Sequence, residues 1–254
     1  MATELIRMEH VNKFYGRVQA LEDVNLVVNE SEIVGLLGDN GAGKSTLIKV
    51  LSGAVPSSSG KISVRGKEVT IRSTTDAIAQ GIETIYQDSA LVTQLSIARN
   101  LFLGREPVKG PKFFNRLDQE KMNEVARELL ARVGISKNIP PNTPIGSLSG
   151  GERQAVAIAR AMHFDSDLII LDEPTNNLGV AETQGVLRFV RNARDSGHSC
   201  IFIAHNIHHV FQVVDRIVVM RRGRIVADDI KPKTTSVEEV ERVITGEELV
   251  VARG

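Results

Sequence analysis

Gly38-Asp39-Asn40-Gly41-Ala42-Gly43-Lys44-Ser45-Thr46 is the stretch around which the chain is organised. It fits G-x-x-x-x-G-K-[ST], the pattern of a loop that cradles phosphates between a strand and a helix. Both flanks agree with that context. Ile33-Val34-Gly35-Leu36-Leu37 is a short apolar run of the kind that forms a buried parallel strand, and Leu47, Val50 and Leu51 recur at helical spacing until Gly53. A triphosphate needs many donors close together, and backbone N–H groups approach it only where side chains are absent. Gly41 and Gly43 leave that room. A helix starting near Lys44 points unpaired amides and its positive dipole end at the phosphates; Lys44 can reach the β and γ oxygens, and the Ser45 hydroxyl can ligate Mg²⁺.

The bulk composition narrows the setting. At 254 residues the chain is long for one domain but ordinary for a single α/β core with a smaller lobe. Lys+Arg and Asp+Glu both number 31, so no net charge points to nucleic acid as a direct partner. The one cysteine, Cys200, lies in an apolar run and has no internal disulfide partner, which suits core packing and a reducing compartment. No apolar stretch approaches the roughly 20 residues of a membrane span, and Met1 to His10 lacks a signal-peptide core. A membrane role then runs through a partner.

Along the chain, residues 5–28 cluster β-formers around Tyr15-Gly16-Arg17 and predict an antiparallel sheet ahead of the loop. Tyr15 in that sheet can stack on a purine with Val18 packed beside it; by spacing alone, an exposed surface aromatic is an equal reading. Lys61–Val64 and Glu68–Ile71 across Arg65-Gly66-Lys67 read as a hairpin, Thr75–Gln80 as a short helix, and Ile82–Tyr86 as a strand ending on Gln87. Residues 88–163 change character. No strand is evident there, and Met122, Val125, Leu129 and Leu130 share one helix face, so a helical lobe is expected. Ser149 and Glu152 make a capping box for the helix that continues to Met162. Leu168–Leu171 is an unbroken apolar strand delivering Asp172 and Glu173, and Cys200–Ala204 is another ending on His205. A helix over about 180–194, a hairpin of Ile217–Met220 with Arg224–Ala227, and a helix capped by Ser236 with Glu239 complete the chain.

Gln87, Asp172, Glu173 and His205 thus all fall at strand ends, where ligands bind in open α/β sheets. Phosphoryl transfer to water needs a divalent ion on the phosphates, a group to orient the attacking water, and donors for charge on the γ-phosphoryl. Asp172 is the candidate for holding Mg²⁺ through water, Glu173 for accepting the water's proton, His205 for donating to the γ-phosphate, and Gln87 for ligating or sensing the ion. Taken singly, a glutamine or histidine at a strand end, as Gln87 and His205 are, is more often structural than functional.

With these residues in hand, the chain resembles the ATPase subunit of an ATP-binding cassette (ABC) transporter over essentially its whole length. Gly38–Thr46 is similar to the Walker A loop, Gln87 to the Q-loop, Leu168–Glu173 to the Walker B strand with its catalytic acid, Asn177-Leu178-Gly179 to the D-loop and His205 to the switch histidine. Leu148, Ser149, Gly150, Gly151, Glu152, Arg153 and Gln154 resemble the signature motif. The resemblance implies that Tyr15 stacks on the base. It also implies that two copies close head to tail, with Ser149, Gly150 and Gly151 of one meeting the γ-phosphate held by the other. The fold it implies is a P-loop α/β core with an N-terminal antiparallel β subdomain (together about 1–87 and 164–230), an inserted helical subdomain (about 88–163) and a C-terminal helix (about 236–246).

Gly38-Asp39-Asn40-Gly41, Asn100–Glu106 and Leu178-Gly179-Val180 resemble the carbohydrate-import branch. That implies an ATP- and Mg²⁺-dependent subunit of a sugar or polyol importer. It would sit on the cytoplasmic face of the inner membrane through permease partners, served by a sugar-binding protein, and as a single cassette it would pair with itself. Gly179 stands where the wider superfamily has aspartate, Asn176 and Asn177 where small residues are usual, Ala204 where serine is common, and Glu152 in place of glutamine. A soluble cassette ATPase acting on nucleic acid or ribosomes, and an importer of a non-sugar solute, remain alternatives from sequence. A guanine-reading Asn-Lys-x-Asp is absent from the sequence.

Overall fold

A computed structural model describes residues 3–85, 91–110, 115–132, 139–163, 166–176 and 178–246. The chain forms two compact units: residues 1–84, 166–173 and 190–254, and residues 85–165 with 174–189.

The first unit carries two sheets. One runs β2-β1-β4-β5, from β1 (Glu4–Tyr15), β2 (Val18–Asn29), β4 (Ser59–Val64) and β5 (Lys67–Val69), all antiparallel. This is the antiparallel sheet expected from residues 5–28 and the 61–71 hairpin. The other has the order β12-β11-β3-β10-β9-β6. It is built from β3 (Ile33–Leu37), β6 (Ile82–Ile85), β9 (Leu168–Asp172), β10 (Ser199–Ile203), β11 (Arg216–Arg221) and β12 (Arg224–Ile230). Strands β11, β3, β10 and β9 run parallel, and β12 closes one edge as an antiparallel hairpin.

Every residue of β3 and β10 is buried, as their unbroken apolar runs require of strands covered on both faces. On one face Val34, Leu36, Ile170, Ile201 and Ile203 join Leu47, Ile48 and Leu51 of α1 (Lys44–Leu51), along with Leu5, Met8 and Leu21 of the antiparallel sheet, in a single apolar cluster. On the other face α7 (Ile207–Val213) comes so close that a Cβ on Gly35 would lie 2.5 Å from Val210. Cys200 is fully buried in the sheet, and burial pushes its thiol pKa up to about 12, which makes it an inert packing residue. Helices α2 (Thr74–Ala79) and α8 (Val237–Thr245) each begin with a complete capping box, at Ser73 with Asp76 and at Ser236 with Glu239.

Beneath the sheet edge, Arg216 is almost wholly buried. Its guanidinium donates to the Glu32 carboxylate at 2.8 Å and to the carbonyls of Val27 and Asp228. Burial opposes ionisation of Glu32, but hydrogen bonds from Arg216 and Asn29 outweigh it and hold the carboxyl below its ordinary range.

In the second unit α3 (Ile97–Leu101), α4 (Gln119–Arg132) and α5 (Gly150–His163) share a core of Ile97, Leu101, Met122, Ala126, Leu129 and Val156. Of the face read from sequence for α4, Met122, Leu129 and Leu130 are buried here and Val125 packs partly buried against them. Two findings depart from the sequence reading. A two-residue ladder, β7 (Val108–Lys109) with β8 (Arg116–Leu117), stands where no strand was expected, and α3 was not foreseen. Both are too short for a periodic pattern to register. Helix α3 exists because Ser96 caps it and because buried Asn100 hydrogen-bonds the backbone of Val92, Leu95 and Ser96. Helix α6 (Val180–Asp195) begins in the second unit and ends in the first.

Candidate functional site

Register, more than any single residue, builds the site. Ile203 of β10 pairs with Leu36 of β3 on one side and with Asp172 of β9 on the other. The loop leaving β3, the Asp172-Glu173 pair and the residues after Ile203 therefore emerge side by side, at strand spacings of about 4.8 Å.

The loop after β3 is shaped by glycine. Gly38 has φ +148°, and a Cβ there would meet the Met220 carbonyl oxygen at 2.3 Å; Gly43 has φ +106°, with the Ala20 carbonyl oxygen 3.0 Å from where its Cβ would lie. No other residue fits either place without moving backbone. Gly43 is also the N-cap of α1 and offers no side chain, so the first-turn amides of Lys44–Thr46 have no side-chain cap. The Lys44 ammonium folds over the loop and donates to the Gly38 and Asp39 carbonyls at 2.6 and 3.0 Å. Burial lowers the pKa of Lys44, while Glu173, Asp39 and Asp172 work in the opposite sense.

The two acids differ in environment. Half-buried Asp172 is pushed up by burial and by the neighbouring Glu173 charge, with Lys44 and His205 opposing. Glu173 sits in the left-handed backbone region at φ +53°, its N–H bonded to the Ile203 carbonyl at 3.0 Å. A glutamate there costs on the order of 1 kcal/mol of backbone strain. From that backbone the Glu173 carboxylate reaches His205, Nε2 to Oε1 2.6 Å.

These groups line one cavity of about 490 Å³, in which Tyr15, Gly43, Lys44, Asp172, Glu173 and His205 meet. Asp39, Asn40, Gly41, Ala42, Ser45, Thr46 and Val18 complete the sequence-derived candidates on its wall. Tyr15 and Val18 pair beside the Gly16-Arg17 turn of the β1–β2 hairpin and are exposed, with the Lys13 ammonium 5.1 Å from the Tyr15 ring centroid. Gln87 lies outside the described residues, as does Asn177. The sequence reading missed Gln19, Arg222 and Gly223, which also line the cavity. Their local sequence carries no motif; the β11–β12 hairpin reaches the loop only through the sheet.

The signature-like segment Leu148–Gln154 belongs to the second unit. Its capping box is formed as expected: the Ser149 N–H donates to the Glu152 carboxylate at 2.8 Å, and the Glu152 N–H donates to the Ser149 hydroxyl at 3.2 Å. Arg153 donates to the Leu148 carbonyl, and Leu148 and Gln154 are buried. Within the same unit, Glu182 accepts from the Gly179 N–H at 2.7 Å, and a Cβ on Gly179 would lie 2.5 Å from that carboxylate oxygen. Glycine at 179 is thus tied to a helix cap, because an aspartate there would press a second acid against Glu182. Gly151 is held as closely, with Glu182 Cγ 2.2 Å from the place of its Cβ.

Residues 21–176 match the model of the ABC transporter family. The chain belongs to this family. It is 44% identical to the xylose/arabinose import ATP-binding protein of Sulfolobus acidocaldarius, across 96% of this chain and 94% of that one. It is 43% identical to the fructose import ATP-binding protein of Rhizobium meliloti, across 92% and 91%. With a ribose import ATP-binding protein of Streptomyces avermitilis it shares 39% identity over 96% of its own length but only 45% of the relative's. In structure it is similar to a nucleotide-free ATP-binding cassette from an ABC transporter, with TM-score 0.81, 25% identity and 98% of both chains covered. The α/β cassette fold expected from the motifs is therefore the fold of this ABC ATPase. Among the described residues, no helix of the cassette is long and apolar enough to cross a membrane.

Proposed function

We propose that this ABC ATPase is the ATP-hydrolysing subunit of an importer for a sugar or polyol. The observation that carries the chemistry is the convergence of Lys44, Asp172, Glu173 and His205 on one cavity at aligned strand ends. The import ATP-binding relatives at 43–44% identity support the solute class.

In this reading the base stacks on Tyr15 beside Val18, and the triphosphate lies along Gly38–Thr46 with Lys44 swinging from the Gly38 carbonyl to the β and γ oxygens. The donor set fits Mg²⁺: the Ser45 hydroxyl and the Asp172 carboxylate are hard oxygen ligands, with the Gln87 amide as a further candidate. Bound there, Mg²⁺ would supply Lewis-acid stabilisation of the negative charge on the phosphates. Glu173 accepts the proton of the attacking water, and His205 donates to the γ-phosphoryl oxygens. Ser149, Gly150 and Gly151 of a second copy close over the γ-phosphate, since a capped helix start with free amides favours an anion. Closing and reopening of that pair, driven by the difference between ATP and ADP, moves permease subunits on the cytoplasmic face of the membrane, and these take solute from a sugar-binding protein.

The test is phosphate release from Mg·ATP by the purified protein, followed by the same assay on the protein co-purified with its permease, with and without sugar-loaded binding protein. Turnover abolished by Lys44→Ala and stimulated by the loaded binding protein is the expected result. Turnover indifferent to Lys44, or stimulated equally by a binding protein for a non-sugar solute, overturns it.

A further inference from the structure

The cavity wall holds a second cation that the motifs do not announce. Arg222 lines the cavity together with Gln19, Ala20, Gly43 and Gly223. It sits at the tip of the β11–β12 hairpin, where Arg221 pairs with Arg224 and the two turn residues both have positive φ, Arg222 at +47° and Gly223 at +80°. Such a turn favours Asn, Asp or Gly at its first position, so an arginine there is held against its backbone preference.

The tip is fastened from two sides. Gly223 donates to the Ala42 carbonyl of the phosphate loop at 2.9 Å, and its own carbonyl accepts from the Glu22 N–H of β2 at 2.8 Å. A Cβ on Gly43 would lie 3.2 Å from Gly223 Cα, so loop and tip are in contact. The neighbouring arginines are engaged: Arg224 pairs with Glu22, and Arg221 packs over Gly246. Arg222 is exposed and makes no hydrogen bond or ion pair among the described residues. Lys44 is the other cation on a wall that also carries Asp39, Asp172 and Glu173.

Position along β2 indicates what this guanidinium meets. The Tyr15–Val18 pair marks the end proposed for the base, whereas Ala20, two residues on and roughly 7 Å further along the strand, is level with Gly43 and the tip. Between a stacked base and the γ-phosphate that level is filled by the ribose and α-phosphate.

We infer that Arg222 is a nucleotide-binding residue, its guanidinium meeting the α-phosphate from the β11–β12 tip. This inference rests on the cavity being the ATP site. Its chemistry is a charge-assisted hydrogen bond that is indifferent to the identity of the base.

The decisive variant is Arg222→Asn, because asparagine suits the left-handed backbone while the guanidinium and its stem are lost. Calorimetric titration with Mg·ATP and with Mg·GTP is expected to show about a tenfold rise in Kd for each nucleotide, with Tm equal to or above that of the wild type. Arg222→Lys is expected to recover part of the loss. An unchanged Kd in R222N, or a loss confined to ATP, overturns the assignment to the α-phosphate while leaving the site's function standing. A wild type that fails to bind Mg·ATP, in an experiment where Lys44→Ala serves as the non-binding reference, overturns the nucleotide reading itself.

Discussion

The imidazole of His205 and the carboxylate of Glu173 are hydrogen-bonded to each other, Nε2 to Oε1 2.6 Å, and Glu173 makes that contact from a left-handed backbone, φ +53°. The group proposed to take a proton from water and the group proposed to face the γ-phosphoryl are therefore one unit. Residues that act as a unit lose activity together rather than additively. Glu173→Gln is expected to keep ATP binding while lowering turnover by roughly 10²–10⁴. Adding His205→Ala to it should cost less than about tenfold more; a phosphate-release assay on the single and double variants measures both, and full multiplicativity contradicts the coupling.

Gly43 meets both the Ala20 carbonyl and the Gly223 backbone and has φ +106°. Gly43→Val is expected to lose nucleotide binding by at least about tenfold, because neither backbone can retreat without opening the β2–hairpin contact. Equilibrium binding of a fluorescent ATP analogue reads this directly, with far-ultraviolet circular dichroism confirming that the sheet persists.

The Arg216–Glu32 pair is nearly buried, with side-chain exposures of 9% and 12%. Removing one partner leaves an uncompensated charge, so Arg216→Met is expected to destabilise the first unit by about 3–5 kcal/mol in urea unfolding. The pair also sets a pH dependence. Because the Glu32 pKa is depressed in the folded protein, its contribution is complete above the ordinary glutamate value of about 4.3 and is lost as pH falls through the lower folded value. The stability gap between wild type and Glu32→Gln should therefore narrow only below about pH 4.3, by the same ordinary value; a gap that narrows on the alkaline side contradicts the sign.

Asn100 is completely buried and satisfies the backbone of Val92, Leu95 and Ser96. Asn100→Leu strands those groups and is expected to cost about 3 kcal/mol, at the usual penalty for buried unpaired amides and carbonyls. Hydrogen exchange should localise the loss to residues 92–102, and a loss spread evenly over both units would contradict it.

Gly151 and Gly179 both press on Glu182. Gly179→Asp, which restores the residue common in the wider superfamily, is expected to break the Glu182 cap on α6 and to weaken ATP-dependent dimerisation in a Glu173→Gln background, as read by size-exclusion chromatography with light scattering. An undiminished dimer would show that the cap does not govern pairing.

The amino-acid sequence alone determined the parts whose physics is local. The loop after β3 announces itself because only glycine tolerates that backbone, the α5 start because Ser149 and Glu152 stand three residues apart, and the central strands because their apolar runs are unbroken. The tertiary structure decided whatever depends on register. It is the pairing of Ile203 with both Leu36 and Asp172 that carries His205 to Glu173, and the fastening of Gly223 to Ala42 that carries Arg222 to the cavity lined by Lys44 and Asp172. Short elements such as α3 and the Val108–Leu117 ladder also needed the fold, since one or two turns of backbone are stabilised by partners distant in sequence and leave no period of their own.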